Sequence, residues 1–250
     1  MITAYHRPTT LVEALTLLTQ PDAVPLGGGT LLSKPHADPV RAVDLQYLSL
    51  DSVKKNGKDL EIGATATLQS LLESKDCPEA MKQALKLEAP LNIRNTATAA
   101  GTLVACDGRS TFVSILLAAD AKIEQAFLAD SSIQYRTSSI GEFLPLRPRG
   151  LITRLIVPVN VKFAFEYVAR TPSDKPIVCV ALAGWGSGRM RMAVGGHGKS
   201  PMLALDGMSS DELDAAAKNA FHEAGDEWAS AEYRMDVAAT LAKRCAGAIK

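Results

Sequence analysis

Apolar positions recur along the first part of the chain at helical spacing, broken by short extended runs and two clusters of very small residues. Thr10-Leu11-Val12-Glu13 reads as a capping box, in which the threonine side chain accepts from a backbone amide and the glutamate reaches back to the cap. Leu11, Ala14, Leu15 and Leu18 then share one helical face, and Gln20-Pro21-Asp22 stops the helix. Ala23–Leu26 is a short strand that runs into Gly27-Gly28-Gly29-Thr30, and Ala42–Leu45 is a second strand. Asp59–Ala64 is another. Thr67 caps a short helix over Leu68 to Glu73, and Pro78 opens a longer one with Ala80, Met81, Ala84, Leu85 and Leu87 as its apolar set. Ala89 to Gly101 reads as irregular. An apolar helix follows over Thr111 to Ala119, then short strands at Lys122–Phe127, Ser132–Tyr135 and Leu151–Val157.

From Lys162 the texture changes to short apolar, β-branched and aromatic runs. Phe163–Val168, Pro176–Ala183 and Arg189–Val194 read as three antiparallel strands, with Gly186-Ser187-Gly188 turning between the last two. Helices from Ser210 to about Glu223 and from Ala229 to about Ala248 close the chain, the last with Val237, Ala238, Leu241, Ala242 and Cys245 on one face. Pro158-Val159-Asn160 marks the boundary between the two textures. The expected class is α+β: residues 1–160 in two subdomains split near 55, then a small antiparallel-sheet-plus-helices domain over 161–250.

Composition narrows the functions available. The 250 residues carry 27 Lys+Arg against 27 Asp+Glu, which argues against a nucleic-acid binder. The hydrophobic share of 47% with 22% charged residues is that of a globular protein. No apolar run is long enough to span a bilayer, and Met1–Pro8 lacks the apolar core of a signal peptide, so a cytoplasmic location is expected. Cys77, Cys106, Cys179 and Cys245 are scattered without a C-x-x-C pair, which speaks against a disulfide framework, a zinc site or an iron–sulfur cluster held by this chain alone. His6, His36, His197 and His222 show no metal-binding spacing.

Two constellations carry chemistry. In Leu26-Gly27-Gly28-Gly29-Thr30-Leu31-Leu32 a strand ends in three glycines, which permit positive φ and close backbone approach, and whose successive amides can cradle a phosphate. A tight turn that binds nothing is the bland reading. The motif is not G-x-G-x-x-G, so a Rossmann fold is not indicated. The second is Ile93 to Leu103, dominated by small and hydroxyl side chains, with room for a ligand to pass; an ordinary packing loop is its bland reading. Gly196-His197-Gly198-Lys199-Ser200 ends like a P-loop, but Ala193 stands where that motif needs glycine, and a hairpin loop fits better. No acid/base pair and no G-x-S-x-G elbow is present. The expectation that follows is a chain that holds a cofactor rather than one that breaks bonds with its own side chains.

Taken in order, these features resemble the FAD-binding (medium) subunit of molybdenum hydroxylases, the family of the carbon monoxide dehydrogenase medium subunit and the xanthine dehydrogenase flavin domain. Tyr5-His6-Arg7-Pro8 with Glu13-Ala14-Leu15 is similar to the family's opening, and Leu26–Thr30 resembles its first flavin loop. Ile93-Arg94-Asn95 with Thr98-Ala99-Ala100-Gly101-Thr102 resembles the second loop, I-R-N-x-x-T-I-G-G-N. Arg149–Ile152, Val157-Pro158, Ala193–Gly196 with Pro201, and Ser230-Ala231-Glu232-Tyr233-Arg234 resemble later family segments.

The resemblance implies a two-subdomain FAD-binding domain of the vanillyl-alcohol-oxidase/PCMH type and a C-terminal domain like that of the carbon monoxide dehydrogenase flavoprotein. It implies FAD held by Leu26, Gly27, Gly28, Gly29, Thr30, Leu31 and Leu32 and by Thr98, Ala99, Ala100, Gly101 and Thr102, the two loops gripping the pyrophosphate through amides. It places Leu32 near the isoalloxazine ring and Ile152 against the flavin. The family's acidic residue after the second loop corresponds to Thr111, with Asp107 nearby. It implies partners too: a small iron–sulfur subunit that delivers electrons and a large molybdopterin subunit that does the substrate chemistry. Ala100, Thr102, Thr111 and Gly150 depart from the family pattern. They keep open an alternative, a flavin-free structural subunit of such a complex. A lone flavoprotein of the vanillyl-alcohol-oxidase-like fold is a weaker third reading.

Overall fold

The computed structural model describes residues 1–34, 38–130, 132–172 and 174–249. His36, one of the four histidines weighed above, lies outside the described residues. The chain opens with β1 (Ile2–His6), α1 (Leu11–Leu17), β2 (Ala23–Leu26), β3 (Val40–Asp44), β4 (Val53–Asn56) and β5 (Asp59–Gly63). Five helices follow: α2 (Leu68–Glu73), α3 (Glu79–Glu88), α4 (Leu91–Arg94), α5 (Ala99–Ala105) and α6 (Thr111–Ala118). Then come β6 (Lys122–Ala129), β7 (Ser132–Ser139), α7 (Ile140–Leu146) and β8 (Leu151–Pro158). The chain ends β9 (Lys162–Val168), β10 (Val178–Gly184), β11 (Met190–Gly195), β12 (Met202–Gly207), α8 (Leu213–Asn219) and α9 (Ala231–Ala248).

Three sheets result, which is the α+β class expected. A parallel sheet runs β1-β3-β2, an antiparallel one β4-β5-β8-β6-β7, and a second antiparallel one β12-β11-β10-β9. The last has four strands where the sequence predicts three. Met202–Gly207 escapes the reading because it is an edge strand whose residues are mostly exposed or half-buried, so it lacks a clean apolar stripe. β1 is missed for the same reason, with its five residues exposed or half-buried on the edge of the parallel sheet. The stretch from Ala89 to Gly101 is not irregular throughout: α4 lies within it and α5 begins in it, the latter capped by Thr98.

The caps are local sequence made visible. Thr10 accepts from the Glu13 amide, and Glu13 accepts from the amide of Thr9, one residue before the cap. Ser139 and Glu142 complete a capping box at α7.

All eight residues of α6 are buried. One side meets α3, and the other meets β10 and β11, so Cys179, Ala181, Ala183 and Ala193 share a single apolar cluster with Phe112, Ile115 and Leu116. Each such large apolar side chain contributes about 1.5–3 kcal/mol when fully buried. The start of α6 rests on a buried carboxylate. Glu88 accepts from Ser110 Oγ at 2.8 Å, the Phe112 amide at 3.0 Å and Lys175 Nζ at 2.9 Å. The pair ties the end of α3 to the segment leading into β10.

Candidate functional site: a cleft between two small-residue loops

β2 and β3 are parallel, so their C-terminal ends lie side by side, and the glycine run leaves from one of them. Asp44 ends β3 with its carboxylate 2% exposed. It accepts from Arg7 Nε at 3.0 Å, from the Gln46 amide at 3.0 Å and from the Tyr5 hydroxyl. That hydrogen bond to Asp44 holds the Tyr5 hydroxyl above its ordinary pKa. The turn so fixed places Leu45, whose amide bonds the carbonyl of Leu26 at 3.0 Å.

The two loops pack backbone against backbone. A Cβ at Gly28 would lie 1.6 Å from the Thr96 carbonyl oxygen, and one at Gly27 would lie 2.7 Å from Thr98 Oγ1. These two glycines are therefore needed for loop-to-loop contact. Gly29 alone of the three takes a left-handed conformation, with φ +71°. The amides of Gly27 through Leu32 donate to no protein acceptor among the described residues.

The second loop is different. From Ala99 to Thr102 its amides are committed within the protein: Ala99 to Ala66 O at 2.8 Å, Ala100 to Ala64 O at 3.2 Å, Gly101 to Thr98 Oγ1 at 3.2 Å and Thr102 to Thr98 O at 2.8 Å. It supplies contour, while the first loop supplies donors.

Between them lies a cleft of about 310 Å³, within the range of small-molecule sites. Of the sequence candidates, Leu26, Gly27, Gly28, Gly29, Thr30, Leu31, Leu32, Thr98, Ala100, Gly101 and Ile152 line it. The other four do not. Ala99 is buried beneath the wall, and Thr102 is half-buried in α5. Asp107 is exposed, its carboxylate bonding the Arg109 amide at 3.0 Å and lying 3.9 Å from Lys175. Thr111 is buried in α6 and its hydroxyl donates to Ala84 O at 2.6 Å.

Sequence reasoning missed Val24, Pro25, Leu45, Ala64, Thr65, Val104, Gly150 and Leu151, which also line the cleft. Leu45 and Ala64-Thr65 follow directly on strand ends, a signal that could have flagged them. Gly150 is demanded by its surroundings: its φ is +144°, and a Cβ there would meet Phe127 at 2.7 Å.

An apolar slot beside a run of amides that lack protein acceptors suits a flat ring carrying a pyrophosphate. Comparison with known proteins names that group. Residues 1–160 match the family described as the FAD binding domain in molybdopterin dehydrogenase. The chain belongs to this family. FAD is the cofactor of such FAD-binding chains, and the apolar lining and unbonded amides of the cleft suit the chemistry of a flavin ring and a pyrophosphate. A relative from Escherichia coli K12, the uncharacterized protein YgfM, is 28% identical over 96% of this chain and 94% of its own length. The carbon monoxide dehydrogenase medium chain of Afipia carboxidovorans is 25% identical over 96% of this chain and 94% of its own. The fold matches a chain of the Cu,Mo-CO dehydrogenase crystal structure with a TM-score of 0.82 at 24% identity, over 100% of this chain and 98% of that one. A chain of quinoline 2-oxidoreductase from Pseudomonas putida gives 0.79 at 21% identity, over 99% and 98%.

Proposed function

We propose that this FAD-binding chain is the electron-transfer subunit of a molybdenum hydroxylase complex. In that reading a small iron–sulfur subunit delivers electrons, an external acceptor removes them, and a large molybdopterin subunit performs the substrate chemistry. FAD supplies the ability to accept electrons singly or in pairs and release them in either manner. The chain's own residues bind and orient. The amides of Gly27 to Leu32 would donate to the pyrophosphate, Leu32 and Ile152 would lie against the ring, and Ala100, Gly101 and Val104 would add further wall. Residues 1–160 act as a flavin domain of the vanillyl-alcohol-oxidase/PCMH type in two parts meeting near residue 55, and residues 161–250 as a second domain. A cytoplasmic location belongs to the same reading.

The observation that carries the proposal is that the six residues 27–32, whose amides have no protein acceptor among the described residues, line an apolar cleft. The departures at Ala100 and Gly150 do not count against flavin. Ala100 sits in α5, where a Cβ causes no strain, and Gly150 fills a position with no room for a side chain. Titrating the apoprotein with FAD and following flavin fluorescence tests the reading; binding at micromolar affinity or tighter is expected. Absence of binding, with no visible flavin band after reconstitution, would overturn it in favour of the flavin-free structural subunit. Co-expression with an iron–sulfur chain and a molybdopterin chain is expected to yield one complex whose flavin is reduced by the large subunit's substrate.

A further inference from the structure

Arg147 ends α7 in the left-handed region, with φ +41°. Its guanidinium donates to three main-chain carbonyls from two distant parts of the chain. Nη1 reaches Val104 O at 2.9 Å, and Nη2 reaches Cys106 O at 2.9 Å and Lys199 O at 3.1 Å. Val104 and Cys106 belong to the end of α5, where carbonyls have no helical partner. Val104 is also a wall of the cleft, and Gly150, three residues beyond Arg147, lines it immediately before the strand β8 that supplies Leu151 and Ile152. Among the described residues no carboxylate pairs with Arg147, so its planar fork acts as a strut between neutral acceptors.

Lys199 lies in the loop after β11, and that loop is itself interlocked with the segment following α5. The Gly108 amide donates to Gly198 O at 2.9 Å, and the Gly196 amide donates to Gly108 O at 2.7 Å. A Cβ at Gly108 would lie 1.8 Å from His197 O. The cleft wall is therefore braced by residues outside the segment that defines the family.

We propose that Arg147 is a positioning residue for the flavin: it holds the last turn of α5 against the 196–199 loop, and FAD affinity depends on that brace. The proposal rests on the reading that the cleft holds FAD. Arg109 provides the comparison. Its guanidinium also donates to carbonyls at the same joint, those of Pro176 and Lys175, and stacks on Trp228 at 4.5 Å, but it touches no wall of the cleft.

The test uses the full chain with Arg147→Met, Arg147→Lys and Arg109→Met, each freed of flavin and titrated with FAD, with thermal melting of the apoproteins alongside. The midpoint potential and visible spectrum of each loaded protein are recorded as well. Arg147→Met is expected to weaken FAD binding roughly tenfold or more and to shift the flavin spectrum or potential. Arg147→Lys recovers part of the affinity, because an ammonium reaches some of the carbonyls without the fork. Arg109→Met keeps parental affinity even if it melts earlier. Parental affinity and spectrum in Arg147→Met overturn the proposal, as does an equal loss in Arg147→Met and Arg109→Met. Should Arg147→Met not fold, the lysine variant decides: weakened binding supports the brace and parental binding overturns it. A parental chain that binds no FAD fails the functional reading itself, and is distinguished by that arm alone.

Discussion

The carbonyl oxygen of Thr96 lies where a side chain on Gly28 would begin, 1.6 Å from the position of a Cβ. One loop cannot accept a methyl group without pushing the other away, since the obstacle is backbone. Gly28→Ala is expected to cost about 3 kcal/mol or more, through displacement of backbone rather than a rotamer change. It is also expected to abolish FAD binding. Gly186→Ala, where nothing lies within 4 Å, is the control that leaves both unchanged. Thermal melts and flavin titrations of the two variants check this; a fully active Gly28→Ala protein would show that the loops do not pack as described.

Glu88 is the buried acceptor on which α6 begins. Truncation to alanine leaves the Ser110 hydroxyl and the Phe112 amide without their partner and strands the Lys175 ammonium. A loss of about 3–5 kcal/mol is expected, the range for breaking one side of a buried pair. Glu88→Gln retains acceptors and is expected to lose less, since Lys175 is 34% exposed and reaches water. Urea midpoints measure both, and equal losses would show that the hydrogen bonds at α6 contribute nothing separable from charge.

Stability in acid follows from the last helix. Arg234 is wholly buried, and its guanidinium bonds Asp226 Oδ1 at 2.7 Å and the carbonyls of Ala224 and Ala229. Burial pushes the Asp226 carboxyl up, but Arg234 and the amides of Trp228 and Ala229 outweigh it and hold it below the usual carboxylate range. A group depressed in this way contributes stability above its unfolded pKa of about 3.9 and loses it as pH falls through the folded value. The stability gap between the parent and Asp226→Asn is therefore expected to be constant above about pH 5 and to close below about pH 4. A gap independent of pH in chemical denaturation would refute the assignment.

All four cysteines are buried. Burial pushes the Cys77, Cys179 and Cys245 thiols up to about 12, and the Cys106 thiol up to about 11 with Arg147 pulling against it. Since the thiolate is the reactive form, the native protein is expected to be nearly inert to a disulfide reagent at pH 8, and four thiols should react once it is unfolded. Rapid labelling of Cys106 in the native state would show that the end of α5 opens readily.

The elements that announce themselves in the sequence are those whose signal is local. The threonine cap at residue 10, the apolar α6 and the apolar runs of β9, β10 and β11 need only near neighbours, and all are present. The Ser139 and Glu142 box at α7 was equally available, masked by Pro145 inside the helix. Edge strands β1 and β12 are hard to read because they are short and bury no residue, so neither pairs an apolar face with a polar one. For the site, the glycine loop was legible as a loop, but the reason for Gly28 was not, because its obstacle is a carbonyl 68 positions away in the chain. Whether an amide at 99–102 is free likewise depends on Ala64 and Ala66, which a motif does not reveal.

α6 lies at the centre of one core, packed between α3 and the face of the four-stranded sheet. A chain cut after residue 160 would keep the helix and lose the sheet that covers one side of it, turning Ser114, which meets Cys179, and its neighbours on that side outward to water. Such a fragment is expected to be insoluble or to pair with itself through that stripe. α6 thus ties the helices that precede it to the sheet that follows it, and any motion between the two would have to unpack that helix.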